Sequence, residues 1–459
     1  MSTTPATAPS HDATVADTAI RTQRRRVYVA SAVGSIIEYF DFLIYATAAT
    51  LVFPQVFFPE STAAVGLIAS FGTLAVGYLA RPLGGVFFGH LGDRVGRKSV
   101  LLWTLTIMGV ATMLIGLLPS YAHIGVLAPT LLVLLRLVQG FAVGGEWGGA
   151  SLMAVEHADE KKRGLFGSAT QLGAAGGLLL SFVAFSLVTN LLDDHLYTWG
   201  WRLPFLATIV MVAVGAYIRL GIDESPIHKA ELEKREDGSV NAEVARWPIL
   251  QVLHERPGRV LLGIFTYAGP FMAYSVATTM LVSYASSPDQ AAAHGFDAVG
   301  KGSLMNAMMI GTAGMLITAP FFAHLSDKIG RRPVFVTSAL LTVIHVFAMF
   351  PLVTSGHFGL AVLSYFISMT ILNASTMALV PALLAELFPT KTRYTGVSLT
   401  YQIGSTLGGG LGPMIAATLI VPSGPGAVAV SAMIAGLCVV AAICGTVLGD
   451  TRKVDLRNA

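Results

Sequence analysis

Glu38 and Asp41 stand three residues apart in one long apolar run, and Arg136 and Gln139 repeat that spacing in another. Three residues along a helix bring two side chains to one face. An ionisable group inside an apolar segment costs about 3 kcal/mol or more unless it is paired or hydrated, so each of these positions needs a reason. Two carboxyls this close raise each other's proton affinity, and a nearby cation lowers it. An acid that can gain and lose a cationic partner is therefore a proton carrier. Arg136 has a second chemistry open to it, because a guanidinium grips a carboxylate with two parallel N–H donors. The third reading is a static buried ion pair, but such pairs are weak sources of stability. Glu146 lies ten residues beyond Arg136, about 15 Å along a helix, among Gly140, Gly144, Gly145, Gly148 and Gly149. Those glycines permit close helix packing or local unwinding.

Weaker candidates are scattered through the other apolar runs. Tyr45, Gln171, Tyr267, Asn306, Asn373, Tyr401 and Gln402 are either contacts for a small polar molecule or hydrogen-bonding glue between helices. His90 and His324 sit at the ends of apolar runs and read as packing groups, not as a proton site. No G-x-x-x-x-G-K-[ST] occurs, so an ATP-driven process has no motor. Neither H-E-x-x-H nor a Cys/His cluster offers a metal site. Cys438 and Cys444, six residues apart in one run, read as small packing residues. No cofactor and no metal are expected.

The elements that must carry these side chains announce themselves by repetition. Gly89-His90-Leu91-Gly92-Asp93-Arg94-Val95-Gly96-Arg97-Lys98 returns as Ala323-His324-Leu325-Ser326-Asp327-Lys328-Ile329-Gly330-Arg331-Arg332. Each copy is a short charged connection between two long apolar runs, with an acid, a turn and a basic cluster. Glu156 and Arg163 bracket a later connection, and Glu386 and Arg393 bracket another with the same internal spacing. One six-helix unit has been duplicated. Apolar runs near the ~20 residues needed to span a bilayer are expected at 27–53, 63–88, 99–118, 126–155, 164–190, 201–221, 259–285, 300–323, 334–354, 358–385, 394–421 and 427–449. The predicted fold is an all-α membrane protein of about twelve transmembrane helices in two halves, 27–221 and 259–449. A cytoplasmic linker at 222–258 joins them. Residues 1–26 form a disordered N-terminal tail, and 450–459 a C-terminal tail.

Charge placement sets the orientation. Of the 29 Lys and Arg residues, 25 fall at the chain's start, in the linker and tail, or beside the even-numbered ends of the runs. Arg202 and Lys301 fall on the other side, and Arg81 and Arg136 within runs. The positive-inside rule then places both termini in the cytoplasm of a cell membrane. Only 12% of residues are charged, against about 25% in soluble domains, and mean hydropathy is +0.68. The pI near 8.8 reflects this topology and not nucleic-acid binding.

At Gly92-Asp93-Arg94-Val95-Gly96-Arg97-Lys98 the chain resembles the cytoplasmic-gate motif of the major facilitator superfamily. Glu38-Tyr39-Phe40-Asp41-Phe42, Arg81-Pro82-Leu83-Gly84-Gly85, Gly144-Gly145-Glu146-Trp147, Trp199-Gly200-Trp201-Arg202 and Arg393-Tyr394-Thr395-Gly396 are similar to its metabolite:proton symporter branch. That branch includes carriers for shikimate, 2-oxoglutarate, citrate and proline/betaine. The resemblance implies a secondary active transporter, proton-coupled, importing an organic acid or zwitterion by alternating access. A drug:proton antiporter of the same fold is the alternative, although Gly173-Ala174-Ala175-Gly176-Gly177 lacks that family's proline. It further implies that the first and fourth helices line one cavity, so that Arg136 faces Glu38 or Asp41 across it. Asp93, Arg94, Arg97, Glu156 and Arg163 would form a charge relay that closes the cytoplasmic side, with Asp327, Arg331, Glu386 and Arg393 as its second copy. Glu146, within the branch motif, is expected to support the gate. Ser326 replaces Gly92, so the two gates need not be equally strong. The partners implied are a small-molecule substrate, a proton and the lipid bilayer, with a functional monomer and no nucleic acid. A membrane enzyme would need a catalytic constellation, and none is present.

Overall fold

The computed structural model describes residues 11–60, 63–192, 195–221, 224, 248–420 and 426–456. Ten helices among them are long and apolar enough to cross a bilayer. Numbered with the two others described below, the first six are α1 (His11–Leu51), α2 (Ala63–Val95), α3 (Arg97–Leu117), α4 (Leu127–Glu156), α5 (Ala169–Leu191, led in by Arg163–Gly167) and α6 (Arg202–Leu220). The second six are α7 (Pro257–Ser286), α8 (Lys301–Ile329), α9 (Arg331–Thr354), α10 (Phe358–Ala385), α11 (Arg393–Ser405, continued by Thr406–Leu411 and Gly412–Leu419) and α12 (Gly426–Leu448). No strand occurs among the described residues. Many of the large apolar side chains that stay exposed, such as Leu83, Trp103, Tyr217, Ile317 and Ile344, form the surface a lipid tail would solvate.

Packing repeats between the halves. In the first, α1 packs on α5, α2 on α4 and α3 on α6; in the second, α7 packs on α11, α8 on α10 and α9 on α12. The halves meet through α2 against α11 and α5 against α8. These cross-half helices need not be apolar all round, because each hides a face against its partner. That explains α11: Thr395, Ser398, Thr400, Gln402 and Ser405 are all buried, and the helix has a low mean hydropathy for a span. At the α2–α4 contact, a Cβ on Gly140 would collide with the Gly77 backbone and one on Gly144 with the Arg81 carbonyl. Only glycine permits that approach.

Several boundaries differ from the expected ones. The second and eighth helices run on to Val95 and Ile329, so Asp93 and Asp327 sit in last helical turns and not in loops. Hydropathy stops where charges begin, but backbone hydrogen bonding continues. The connection to the next helix is then a single residue, Gly96 or Gly330, with φ of 110° and 111°, a conformation that suits glycine alone. Helix α1 begins at His11, inside the stretch expected to be an irregular tail, and a helix at Pro248–Glu255 lies within the expected linker. Linker residues 225–247 lie outside the described residues, as do 1–10. Three helices of the second half contain π-helical turns, at Val276–Met280, Phe366–Asn373 and Thr406–Leu411.

Candidate functional site

A cavity of about 30 Å³ lies between the halves, lined by Glu38, Tyr39, Phe42, Leu43, Tyr78 and Arg81 from one side and Phe271, Tyr274 and Tyr401 from the other. That is room for about two waters, so the site is nearly closed. Its walls are aromatic. Tyr401 stacks on Trp147 with ring centroids 3.4 Å apart, approaches Tyr267 at 4.5 Å, and shares a 3.1 Å hydroxyl contact with Tyr39. The Arg81 guanidinium lies 4.5 Å from the Phe42 ring centre and 4.3 Å from that of Tyr78. Glu38 Oε2 and Arg81 Nε have no hydrogen-bond partner among the described residues. Gln171, Tyr267 and Asn373 line a smaller adjoining space with Tyr39 and Tyr274, and Asn373 Oδ1 is likewise unpartnered.

Asp41 points elsewhere. It is buried inside the first half, where Thr208 donates to Oδ1 at 2.9 Å and Thr112 approaches Oδ2 at 3.3 Å, sharing its hydroxyl with the Met108 carbonyl. Gln139 Nε2 donates to Thr112 Oγ1 at 2.7 Å, and Arg136 donates to Gln139 Oε1 at 2.5 Å. The expected Arg136–acid pair is therefore replaced by a chain with Gln139 and Thr112 in between. Arg136 itself is sandwiched by Tyr45 at 4.0 Å and Phe42 at 4.7 Å, and Tyr45 donates to Thr73 at 2.5 Å. Glu146 pairs with Arg219 of α6 at 2.7 Å, inside the first half, and its neighbour Gly145 accepts from the Tyr394 hydroxyl at 2.7 Å. Arg219 also donates to the Leu101 carbonyl at 2.7 Å.

At the end of the molecule that carries most basic residues, the duplicated motif closes the seam between halves. Asp93 accepts from the Tyr394 N–H at 3.2 Å, the Thr395 N–H at 3.1 Å and the Thr395 hydroxyl at 2.8 Å. Asp327 accepts from the Gly164 and Leu165 N–H groups at 2.9 and 3.0 Å, and from Arg331 at 2.6 Å. Each acid thus caps the start of a helix in the opposite half, where free N–H groups and the helix dipole favour a negative charge. Glu156 binds Arg97 in its own half and Arg393 at 3.0 Å in the other. Its counterpart Glu386 binds Arg331 at 3.3 Å and the Thr451 hydroxyl. Ser326, where the first copy has Gly92, accepts from Arg331 at 2.8 Å, so the departure adds a bond. A Cβ on Gly92 would lie 3.2 Å from the Tyr394 ring, so a side chain there would press on it.

Four features escaped the sequence reading. Arg81 and Arg219 join the buried charges; both were visible as arginines in or beside apolar runs. Acids just after the last helix of each half, Glu224 and Asp450, accept from Lys98 N at 3.1 Å and Arg331 N at 3.3 Å, a symmetry legible only once the halves are superposed in mind. The C-terminal segment is a strap: Arg163 donates to the Val454 carbonyl at 2.6 Å, Arg393 to the Leu456 carbonyl at 2.8 Å, and Leu456 is buried. Besides Arg136, Gln139 and Tyr45, two more candidates lie away from the two spaces. Asn306 is exposed, and Gln402 spends its amide on the Gly144 carbonyl at 2.9 Å, tying α11 to α4. Arg94 stands exposed outside the buried relay.

Residues 27–244 match the family described as "Sugar (and other) transporter", and 287–458 match "Major Facilitator Superfamily". The chain is 39% identical to the inner membrane metabolite transport protein YhjE of Escherichia coli (strain K12), over 91% of this chain and 93% of that one. It is 36% identical to the shikimate transporter of the same organism, over 94% and 95%. The solved proton:xylose symporter XylE, bound to 6-bromo-6-deoxy-D-glucose, superposes with a TM-score of 0.74 at 17% identity, covering 95% of this chain and 98% of that one. These relatives are transporters and not enzymes. Twelve helices in two repeated halves, a closed cavity between them and close relatives along nearly the whole length give one conclusion: this chain is a multi-pass membrane transporter of the major facilitator superfamily.

Proposed function

We propose that the protein is a proton-coupled symporter, importing a small organic acid or zwitterion by alternating access. Its place is the cell membrane, as a monomer with both termini in the cytoplasm. The observation that carries this reading is the pair of unfilled groups in the cavity wall, Glu38 Oε2 and Arg81 Nε. A buried acid with a vacant oxygen can take a proton, and a buried guanidinium with a vacant N–H can take a substrate oxygen. Desolvation makes both interactions stronger than they would be in water. Glu38 faces the cavity, whereas Asp41 has both oxygens engaged by threonines; the exchanging acid is Glu38, and Asp41 anchors the Thr112–Gln139–Arg136 chain. The family relationship to a shikimate transporter supports a carboxylate-bearing cargo.

Gating follows from the relay. With Asp93 and Asp327 seated on opposite helix starts, the cytoplasmic side is closed; opening it requires both acids to leave those N–H groups. Uptake by proteoliposomes of labelled carboxylates, betaines and cyclic acids tests the reading. Accumulation of one of them against its gradient when the lumen is alkaline is the expected result. Uptake indifferent to a proton gradient for the whole panel would overturn symport.

A further inference from the structure

A second opening reaches the buried charges of the first half, and it does not pass through the cavity. At the end of the molecule that carries most basic residues, a crevice of about 20 Å³ lies between α1, α3, α4 and α6. Ser31, Lys98, Leu101, Ala150, Met153 and Arg219 line it. That is room for one water. Its walls lead inward along two helix faces. On α1, Ser31, Gly34 and Glu38 share one face, and on α4 so do Met153, Ala150 and Glu146. Glu38 lies about 10 Å along its helix from Ser31, and Glu146 about 6 Å from Ala150. Arg219 stands where the two faces meet. It lines the crevice and binds Glu146 Oε1 at 2.7 Å. It also passes so close to Gly34 that an added Cβ would sit 2.6 Å from its guanidinium. The other oxygen, Glu146 Oε2, is buried and unpartnered, as is Glu38 Oε2 at the cavity.

We propose that the proton leaves Glu38 through Glu146 and this crevice, by a door inside the first half, while the substrate leaves between the halves. The inference rests on the symport reading above and adds the proton's exit. An O–H bond breaks at Glu38 Oε2 and one forms at Glu146 Oε2. That bond breaks in turn, and one forms on water in the crevice. No other bond changes, and the cargo takes no part, so the route is indifferent to the cargo's charge.

Glu146 is faced by Glu38 and Asp41 from α1, Arg219 from α6 and Tyr394 from α11, and Arg81 of α2 faces Glu38. A door that opened independently of the seam would let protons cross without cargo. Two bonds tie it to the seam. Tyr394 gives its backbone N–H to Asp93 and its hydroxyl to the carbonyl of Gly145, beside Glu146. Lys98, next to the relay arginine Arg97, gives its ammonium to the Leu220 carbonyl, beside Arg219, at 2.9 Å. While Asp93 holds α11 and Arg97 holds Glu156, both ends of the route are fixed. When the halves part, Tyr394 leaves with the second half and Glu146 is free to pass its proton on.

The experiment uses the purified full-length protein in proteoliposomes, with labelled shikimate and labelled proline as probes, each followed where a pH gradient accumulates it. Passing a proton through a positioned carboxyl gains about 10²-fold or more. Glu146→Gln should therefore slow proton-driven accumulation about tenfold or more. Counterflow exchange, in which the loaded carrier returns with its proton, should continue. The pH dependence of probe binding should persist in Glu146→Gln, because Glu38 still titrates, and be lost in Glu38→Gln. Glu146→Asp should restore part of the accumulation. Gly34→Ala, which pushes the Arg219 guanidinium off its seat without replacing either acid, should slow accumulation in the same way, and it decides the matter if the glutamine variant fails to fold. Unaltered accumulation in either folded variant would overturn the exit and leave symport standing. So would loss of counterflow together with accumulation at normal thermal stability. Failure of a pH gradient to accumulate either probe in the unaltered protein would overturn both.

Discussion

At the scale of single residues, the two acids of α1 do different work although they are three positions apart. Glu38 faces the cavity with a vacant oxygen; Asp41 is fully hydrogen-bonded inside the first half. Glu38→Gln should therefore abolish uphill accumulation while leaving counterflow exchange, measured with the same liposomes under zero and imposed pH gradients. Asp41→Asn should lower both activities together, because it disturbs the anchor of the Arg136 chain. The reverse pattern would move the exchanging acid to Asp41. The arginines differ in the same way. A lysine presents a point charge and not a planar fork, and a lost charged hydrogen bond costs about 1.5–3 kcal/mol. Arg81→Lys should raise KM by 10- to 100-fold. Arg136→Lys, which loses its bond to Gln139 and its aromatic sandwich, should lower thermal stability more than substrate affinity. Equal KM effects from both would count against Arg81 as the substrate anchor.

At the scale of elements, the seam between halves is built from helix ends. Asp93 caps α11 and Asp327 caps the lead-in to α5, and a partly buried acid at a helix start contributes up to about 2 kcal/mol. Since about 1.4 kcal/mol is one decade, removing either charge should shift the inward-to-outward ratio roughly tenfold. Asp93→Asn and Asp327→Asn should both increase labelling of single cysteines on the cytoplasmic side of the cavity and decrease it on the other. The two effects should be similar, because Ser326 adds a bond to Arg331 where the first copy packs Gly92 on Tyr394. Unchanged labelling in both variants would leave the motif as an orientation signal only. The π-helical turns, three within helices of the second half and one at Leu196–Gly200 leading into α6, interrupt the regular α-helical hydrogen-bond ladder.

At the scale of the whole molecule, the closed seam is held from outside as well. The strap from Asp450 to Leu456 accepts Arg163 from one half and Arg393 from the other through backbone carbonyls. It must let go of at least one arginine when the halves part. Leu456→Asp, which places a charge at a buried apolar site, should therefore release the strap and favour cytoplasmic labelling, by less than Asp93→Asn because the helix caps remain. Labelling indistinguishable from the unaltered protein would make the strap a passive tail. The variant's thermal unfolding is the control that separates a released strap from a collapsed fold.

Twelve apolar runs and a repeated charged motif were legible in the residues themselves, whereas the closing of a seam by that motif was what the family resemblance implied. A bilayer accepts only long apolar helices, and a duplicated motif declares its own symmetry. The acids and arginines within the runs were legible for the same reason, since such groups are expensive wherever apolar neighbours surround them. Their partners were not. Whether Arg136 meets an acid or a glutamine depends on the rotation of α4 against α1 and α3, which is set by glycine contacts between α2 and α4 distant in sequence. In that packing Gln139 and Thr112 form a bridge to Asp41 and Glu146 meets Arg219. The strap and the acids after each half were invisible for another reason: their bonds run through backbone carbonyls and helix N–H groups, which every sequence has and only tertiary structure aims.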